Sequence, residues 1–295
     1  MFKKILVPLD GSQLSEFALN PALALAQANK AELILMSAIM DKEMVEVEVD
    51  EYYETSASSL TPPNTMPMRA RMENYLDSIA ETRAGIGVPI RTLVLEGDAA
   101  SCVVETAVSL QPNLIIMGTH GRSGVSRLLL GSVTQKVWHQ APCPVMAVRD
   151  AQPIKNILMP IDQELLAEHA LDPGFAIGSA LSAQVHLLIV SQDSALMHGD
   201  DIEIAPGEKP FSQKLAEDMY NQEGAYLVDL EERYGTVKPI TAVRGGKEED
   251  VILAYAAENN IDLIVCRSSN RRWFQTSISD KVMRDSQSSL LVLKR

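Results

Sequence analysis

IIMGTHGRSGVSRLLLGSVTQKV, residues 115–137, joins an apolar run to a glycine-rich segment and then to a helix-like pattern. The apolar run stops at Gly118, and glycine returns at positions 121, 124 and 131 before Ser132. A tight strand-to-helix turn needs only one or two glycines, so this density favours a loop whose backbone closely approaches a ligand. A turn with spare glycines is the alternative. The stretch predicts a buried strand, a ligand loop and a helix, in that order.

Short apolar runs alternate with longer amphipathic segments on the amino-terminal side of this stretch and just after it. Near-continuous apolar runs are typical of parallel strands that are covered on both faces. The alternation therefore predicts an α/β fold, with a parallel sheet and helices on both faces. The expected strands are 5–9, 33–38, 90–95, 114–117 and 145–148, and the expected helices are 13–29, 69–84, 99–110 and 133–139.

The same order of elements occurs twice along the chain. KKILVPLDGS at 3–12 matches KNILMPIDQE at 155–164, and the segment 131–149 matches TSISDKVMRDSQSSLLVLKR at 276–295. The second copy has expected strands at 157–161, 185–190, 240–243, 263–266 and 290–293. We predict two tandem domains, residues 1–150 and 154–295, joined at the polar seam RDAQPIK.

One segment interrupts the alternation. Residues 41–68 are long and acidic and contain three prolines, which indicates either a lid or a locally packed arm that binds a partner. The second copy has an acidic counterpart at 191–210.

The glycine loop has features that suit a phosphate group. Ligands of open α/β sheets bind beyond the carboxyl ends of the strands, where the winding direction switches. Ser132 followed by Gln135 is a capping-box pattern, and a helix N-terminus favours anions. The Ser132 and Thr134 hydroxyls can add hydrogen bonds, and Arg122 or Arg127 can add charge. The sequence has neither a P-loop motif nor a G-x-G-x-x-G after its first strand.

The spacing of Gly118, Gly121, Gly131 and Ser132 is G-x2-G-x9-G-S. It resembles the nucleotide loop of the ATP-binding branch of the universal stress protein family. The opening KKILVPLDGS and the closing LLLGSVTQKVWHQAPCPVMAV are also similar to that family, and the likeness covers nearly the whole chain. The resemblance implies two Rossmann-like domains, each with a five-stranded parallel sheet of order 3-2-1-4-5. This order would bring Asp10 and Gly118 to one crevice.

The resemblance also implies a ligand, which is ATP, or AMP or ADP, with Mg²⁺ or Mn²⁺ as a possible bridge between the phosphates. Asp10 would hold the ribose, and Ala38 would face the adenine through its backbone. The other implied contacts are Pro8, Leu9, Met117, Gly118, His120, Gly121, Arg122, Gly131, Ser132, Val133 and Thr134. Three of these residues have simpler interpretations: Asp10 as a helix cap, His120 as an exposed loop residue and Met117 as a core residue.

The second copy lacks this glycine spacing. Its loop reads CRSSNRRWFQTSISDKV, with Arg267, Asn270 and Thr276 in place of the three glycines and a shorter spacer. We expect the second fold to be intact and its phosphate cradle to be lost. Arg267, Arg271 and Arg272 would either bind an anion alone or fill the vacant site with their own side chains.

The composition argues against several classes of partner. The net charge is −13, so neither nucleic acid nor an anionic membrane surface is an expected partner. Three widely separated cysteines and a short apolar run near the amino terminus indicate a protein of the reducing cytoplasm. The expected function is ATP binding in stress response or regulation. The alternatives are a slow ATPase or adenylyl-transfer enzyme, and a ligand-free interaction module.

The last strand of each copy is expected to lie at a sheet edge. PVMAVR at 144–149 and SLLVLKR at 289–295 are both apolar, and an exposed apolar edge invites pairing. Such strands often pair antiparallel in the family that the chain resembles. We predict that the two domains pack through these edges as a pseudo-dimer. Further dimerisation of whole chains is an additional alternative.

Overall fold

The computed structural model describes residues 2–40, 67–119, 131–161, 172–191, 239–267 and 278–294 of the 295-residue chain. Ten strands form one continuous sheet. The strands of the first half are β1 (Lys4–Pro8), β2 (Glu32–Ile39), β3 (Ile90–Glu96), β4 (Leu114–Gly118) and β5 (Val145–Val148). Those of the second half are β6 (Asn156–Ile161), β7 (Gln184–Ser191), β8 (Ile240–Gly245), β9 (Leu263–Arg267) and β10 (Ser289–Leu293).

Helices cover both faces of this sheet. The described helices are α1 (Gln13–Glu16), α2 (Leu19–Asn29), α3 (Met68–Thr82), α4 (Ala99–Leu110), α5 (Ser132–Gln140), α6 (Asp172–Leu181), α7 (Glu248–Glu258) and α8 (Ile278–Asp285). A 3-10 turn over Ala84–Ile86 follows α3. Within the described ranges, no helix combines the length and the apolar character that crossing a membrane requires.

The order of the strands confirms the predicted fold class. Across the sheet the order is β3-β2-β1-β4-β5-β10-β9-β6-β7-β8, so each half has the order 3-2-1-4-5. Neighbouring strands within each half are parallel. In each half the winding direction switches between the first and fourth strands, which are β1 and β4 in the first domain.

The two halves join where β5 pairs antiparallel with β10, as the apolar edges predicted. The register places Met146 opposite Leu291, flanked by the pairs Leu290 with Ala147 and Val292 with Val145. Because Met146 and Leu291 hold equivalent positions in the two sequence copies, a pseudo-twofold axis passes through this central pair. All residues of both strands are buried, so this pairing covers two edges that would otherwise expose apolar side chains.

The core has two layers, one on each face of the sheet. One layer holds Ile5, Val7, Leu33 and Leu35 together with residues of α2 and α6, and the other holds Leu6, Ile34, Ile115 and Val145 together with residues of α4, α5, α7 and α8. Both layers contain residues of both domains, so the apolar core continues across the β5–β10 junction.

The prediction of a single helix over 13–29 is wrong, because the structure has two helices with a break at Phe17 and Ala18. The reason is Pro21, which has no N–H to donate to the carbonyl of Phe17 in a continuous helix. In the observed structure Pro21 lies in the first turn of α2, where an N–H has no partner within the helix and proline is tolerated. Residues 41–66, which include most of the predicted lid or arm, and residues 192–210 lie outside the described part of the chain.

Candidate functional site

A cavity of about 330 Å³ opens at the carboxyl ends of β1 and β4. This is the place where the winding direction of the first domain switches, and its volume lies in the range of small-molecule sites. Its walls come from β1, β2 and β4, from the first two turns of α4, and from the starts of α1 and α5. The lining residues are Pro8, Leu9, Asp10, Ser15, Met36, Ala38, Ala99, Val103, Met117, Gly118, Gly131, Ser132, Val133 and Thr134.

The structure brings together every site residue predicted from the sequence that it describes. His120, Gly121 and Arg122 lie outside the described residues, as does Arg127. Sequence reasoning missed Ser15, Met36, Ala99 and Val103, which also line the cavity. Periodicity carried a signal for three of them. Met36 shares a face of β2 with Ala38, and Ala99 and Val103 are one helical turn apart on α4.

The cavity has an apolar side and a polar side. Met36, Ala38, Val103 and Met117 contribute apolar atoms from two strands and one helix. Met117 is 4% exposed, so it is a core residue and a cavity wall at the same time. The polar side holds Asp10 and the N-terminus of α5, and also Ser15, whose hydroxyl donates to the carbonyl of Ser12. This arrangement suits a ligand with a flat apolar group at one end and an anionic group at the other.

Two backbone hydrogen bonds fix the ends of the glycine-rich loop. The Thr119 N–H donates to the carbonyl of Val148 at 3.0 Å, which ties the end of β4 to β5. The Gly131 N–H donates to the carbonyl of Thr119 at 2.7 Å, which brings the two ends of the segment 120–130 together. The Gly131 N–H is therefore already bonded within the protein. The expectation that it contacts the ligand as a hydrogen-bond donor does not fit this bond.

Helix α5 begins without a side-chain cap. Gly131 is the N-cap residue and Ser132 is the first helical residue, so the predicted capping box of Ser132 with Gln135 is wrong. The Gln135 N–H donates to the carbonyl of Gly131 at 2.9 Å. The first-turn amides of Ser132, Val133 and Thr134 have no partner within the helix, and glycine has no side chain that could accept from them. These amides carry the positive end of the helix dipole at the cavity wall.

Glycine occupies positions 118 and 131 of the site for different physical reasons. A Cβ atom on Gly118 would lie 2.6 Å from the carbonyl oxygen of Leu14 and 3.1 Å from the Cα of Ser15, so close packing of α1 on β4 requires glycine there. Gly131 has a φ of −61° and a ψ of 145°, which any residue adopts. The backbone therefore does not require glycine at 131. What glycine does at this position is leave the first turn of α5 uncapped.

The Thr134 hydroxyl differs from our expectation that it is available to a phosphate. It is buried and donates to the carbonyl of Gly118 at 2.9 Å, which ties the start of α5 to the end of β4. Thr134 has two groups that could donate to a phosphate, its hydroxyl and its backbone amide. Because the hydroxyl is bonded to Gly118, the amide is the group left for a ligand. The hydroxyl instead holds that amide in place beside the cavity.

Asp10 has a structural role as well as a position in the cavity wall. Its Oδ1 atom accepts from the Ser12 N–H at 2.9 Å and from the Ser12 hydroxyl at 2.6 Å, and Gly11 between them has a φ of 82°. Ser12, and not Asp10, is the N-cap of α1, because its Oγ accepts from the Ser15 N–H at 3.2 Å. Asp10 therefore shapes the turn that presents its own carboxylate to the cavity.

The second domain differs from the first at the position that corresponds to Ala99 of the cavity wall. Gly97 and Gly246, with φ values of 136° and 137°, mark the same turn before α4 and α7, so Glu248 takes the place of Ala99. Burial and the negative charge of Glu248 raise the pKa of Cys266 to about 12. Cys266 is the counterpart of Met117, and Glu248, the first residue of α7, holds the position of the cavity-lining Ala99. The side chains of Arg267, Arg271 and Arg272 lie outside the described part of the structure.

Ion pairs join α7 to α8 in the second domain. The carboxylate of Glu249 lies 2.9 Å from the Lys247 ammonium and 3.0 Å from that of Lys281, and these two lysines lower its pKa to about 2. The equivalent pair of helices in the first domain has one longer contact of 3.8 Å between Lys136 and Asp98, both more than half exposed. Across the described ranges, no cluster of three or more His, Cys, Asp or Glu residues could hold a metal ion.

Comparison with known proteins agrees with this architecture. A universal stress protein of Thermus aquaticus is 37% identical over 151 residues, which cover 50% of this chain and 100% of that protein. The solved structure of a universal stress protein from Archaeoglobus fulgidus covers 99% of this chain and 96% of its own, with a TM-score of 0.65 and 20% identity.

Solved relatives of half the length include complexes with adenine nucleotides. One is a universal stress protein in complex with cAMP, and another is an Arabidopsis thaliana family member with AMP bound. They cover 50% and 49% of this chain at 22% and 16% identity, with TM-scores of 0.36 and 0.35.

The family comparison covers both halves of the sheet. A sequence model of the universal stress protein family matches twice, over residues 1–149 and 153–294, and each match spans one set of five strands in the order 3-2-1-4-5. The repeated motifs, the duplicated topology and this double match lead to one assignment. The chain belongs to the universal stress protein family, in a tandem arrangement.

Proposed function

We propose that the first domain binds ATP, or its products ADP and AMP, as a ligand or a regulatory switch. The observation that carries this proposal is the first turn of α5, whose amides receive no side-chain cap from Gly131 and lie beside a mostly apolar cavity. Gly131 does not need to be glycine for its backbone conformation, whereas an N-cap side chain that accepts from the helix amides would compete with a phosphate for them.

The geometry supports a specific placement of the nucleotide. The adenine would lie against Met36, Ala38, Val103 and Met117, where apolar atoms dominate. The ribose would bond to Asp10, and the phosphates would accept from the amides of Ser132, Val133 and Thr134. We propose His120, Gly121 and Arg122 as further phosphate contacts because of their place in the glycine motif. A divalent ion would be held mainly by the phosphates themselves.

We propose that the second domain does not bind nucleotide. Glu248 places a carboxylate near the counterpart of the apolar wall, and a carboxylate there disfavours both a stacked base and a nearby phosphate. The asymmetry gives the two domains different tasks within one ten-stranded sheet. One domain would respond to the nucleotide and the other would transmit or stabilise that state.

The cytoplasm is the compartment that we propose for this function. The three cysteines are free thiols, and burial raises the pKa of Cys143 to about 11, which keeps this thiol protonated. Because β5 and β10 cover each other within the chain, a homodimer of whole chains would need a surface other than these two edges.

Titration calorimetry with ATP and with AMP, each with and without Mg²⁺, tests the proposed function. We expect about one site per chain, because the second copy lacks the glycine spacing of the loop and has Glu248 at the position of the cavity-lining Ala99. Analysis of the nucleotide after the titration separates ligand from substrate: intact ATP supports a switch, and ADP or AMP supports slow turnover. Two equal sites would contradict the asymmetry, and no binding by any of the nucleotides would contradict the function.

Replacement of Asp10 tests the placement of the ribose. We expect Asp10→Ala to weaken nucleotide binding by about ten- to a hundredfold, the cost of a lost charge-assisted hydrogen bond. Asp10→Asn is the matched control for the turn, because its amide oxygen can still accept from Ser12 as Oδ1 does now. If Asn restores affinity to the wild-type value, the role of Asp10 is the turn alone and the ribose lies elsewhere.

A further inference from the structure

Two basic side chains cross the junction between the domains. The guanidinium of Arg149, which follows β5, donates from Nε to the carbonyl of Ser288 at 3.0 Å and from Nη2 to the carbonyl of Met283 in α8. The Lys294 ammonium, which follows β10, donates to the carbonyl of Trp138 in α5. Each domain therefore supplies a cation to a helix of the other domain.

These two contacts are related by the pseudo-twofold axis. Arg149 and Lys294 hold equivalent positions after the last strands, which pair antiparallel about Met146 and Leu291. Trp138 and Met283 are likewise equivalent, each near the C-terminal end of its helix. Two independent side chains of different chemistry thus make the same contact, which indicates a reciprocal capping of helix C-termini across the junction.

The contact matters physically for α5 because this helix is short. It has nine residues, and the Ala141 N–H already satisfies the carbonyl of Val137. The next carbonyl, that of Trp138, accepts from Lys294, while the Trp138 side chain is buried. A cation at the C-terminus complements the helix dipole, and short helices form cooperatively, so a bond in the last turn also stabilises the first.

We propose that Lys294, from the second domain, is a positioning residue for the nucleotide cavity of the first domain. It holds the C-terminal end of α5, while Thr134 holds the N-terminal end on Gly118. Together these contacts hold the helix, and with it the first-turn amides, beside the cavity. This inference rests on the proposed nucleotide function, and it makes the affinity of one domain depend on a residue of the other.

The pseudo-symmetry provides a matched control. Arg149 supports α8, the helix of the domain in which Glu248 lies near the counterpart cleft. Loss of Lys294 removes its bond to Trp138, and loss of Arg149 removes its bonds to Ser288 and Met283. Of these two side chains, Lys294 is the one that supports the helix that lines the cavity. The nucleotide affinity should therefore respond to Lys294 and not to Arg149.

The experiment compares ATP affinity in full-length wild type, Lys294→Met, Lys294→Arg and Arg149→Met. We expect Lys294→Met to weaken binding by about three- to tenfold, Lys294→Arg to restore most of it, and Arg149→Met to leave it unchanged. Unchanged affinity in Lys294→Met would overturn the proposal. Equal weakening in Lys294→Met and Arg149→Met would also overturn it, since a general loosening of the junction would then be the cause.

Amide hydrogen exchange without nucleotide separates this inference from the proposed function. Lys294→Met should speed exchange in α5, and Arg149→Met should speed exchange in α8, whether or not ATP binds. If wild type binds no nucleotide but these exchange patterns appear, the proposed function fails and the reciprocal capping stands. If α5 exchanges at the wild-type rate in Lys294→Met, the positioning role is wrong even where ATP binds.

Discussion

Replacing Gly131 with aspartate is expected to weaken ATP binding by about a hundredfold or more while the protein stays folded. An aspartate at the N-cap would accept from the first-turn amides of α5, which are the groups that we assign to the phosphates. Its charge would also repel the phosphates from the positive end of the helix. The fold should tolerate the change, because the φ of −61° at Gly131 suits any residue and aspartate is a favourable N-cap.

Two further substitutions at this position separate the causes. Gly131→Asn caps the helix without adding charge, so its affinity should lie between those of wild type and Gly131→Asp. Gly131→Ala adds a methyl group that accepts no hydrogen bond, so it reports steric exclusion alone. Calorimetry gives the affinities, and thermal unfolding checks that stability is equal or slightly higher. Normal ATP binding by Gly131→Asp would show that the phosphates do not use the N-terminus of α5.

Most of the fold could be predicted because buried parallel strands leave a strong pattern in the sequence. β5 and α4 begin and end where the apolar pattern predicted, and the other strands of the first domain differ by one residue at their ends. The repeat then determined the second half. The apolar edges of both copies predicted the β5–β10 pairing, since uncovered apolar strands are unfavourable in water.

Other features depend on contacts between residues far apart in the sequence. The two glycines at 118 and 131 look alike in the motif, yet the approach of α1 requires glycine at 118, whereas the backbone conformation at 131 suits any residue. The capping-box pattern at Ser132 predicted the wrong N-cap, because Gly131 is the extended residue whose carbonyl accepts the first helical hydrogen bond, from Gln135. The helix break could have been predicted from Pro21. Proline cannot donate to the carbonyl four residues earlier, that of Phe17, and the break lies at Phe17 and Ala18.

The sequence alone showed one difference between the domains, the lost glycines of the loop, and did not show another, the place of Glu248. The loss of glycine at 267, 270 and 276 was readable from the repeat alone. The position of Glu248 could not be predicted from the repeat, because the sequence of β8, the strand before α7, has little similarity to that of β3 in the first copy. Only the matching turns at Gly97 and Gly246 bring Glu248 into register with Ala99. Sequence motifs thus predicted residues that line the cavity of the first domain, and the backbone conformation was needed to align Glu248 with Ala99.

Gly118→Ala is expected to destabilise the first domain by about 2–3 kcal/mol, the range of an overpacked core. The added methyl group would lie 2.6 Å from the Leu14 carbonyl oxygen and 3.1 Å from the Ser15 Cα, and both atoms belong to backbone that cannot rotate away. To relieve the contact, α1 would have to move from β4 and carry Ser15 out of the cavity wall. Denaturant unfolding should therefore show a lower midpoint, and ATP affinity should fall with it.

Gly174→Ala is the matched control for this effect of packing. A methyl group there also meets a neighbour at close range, but that neighbour is the flexible end of the Met159 side chain, and Gly174 lies within α6, where alanine is the better helix former. We expect a change in unfolding free energy of less than about 1 kcal/mol for Gly174→Ala. If Gly118→Ala proves equally mild, α1 can yield at β4, and the glycine at 118 must then be explained by the nucleotide rather than by the fold.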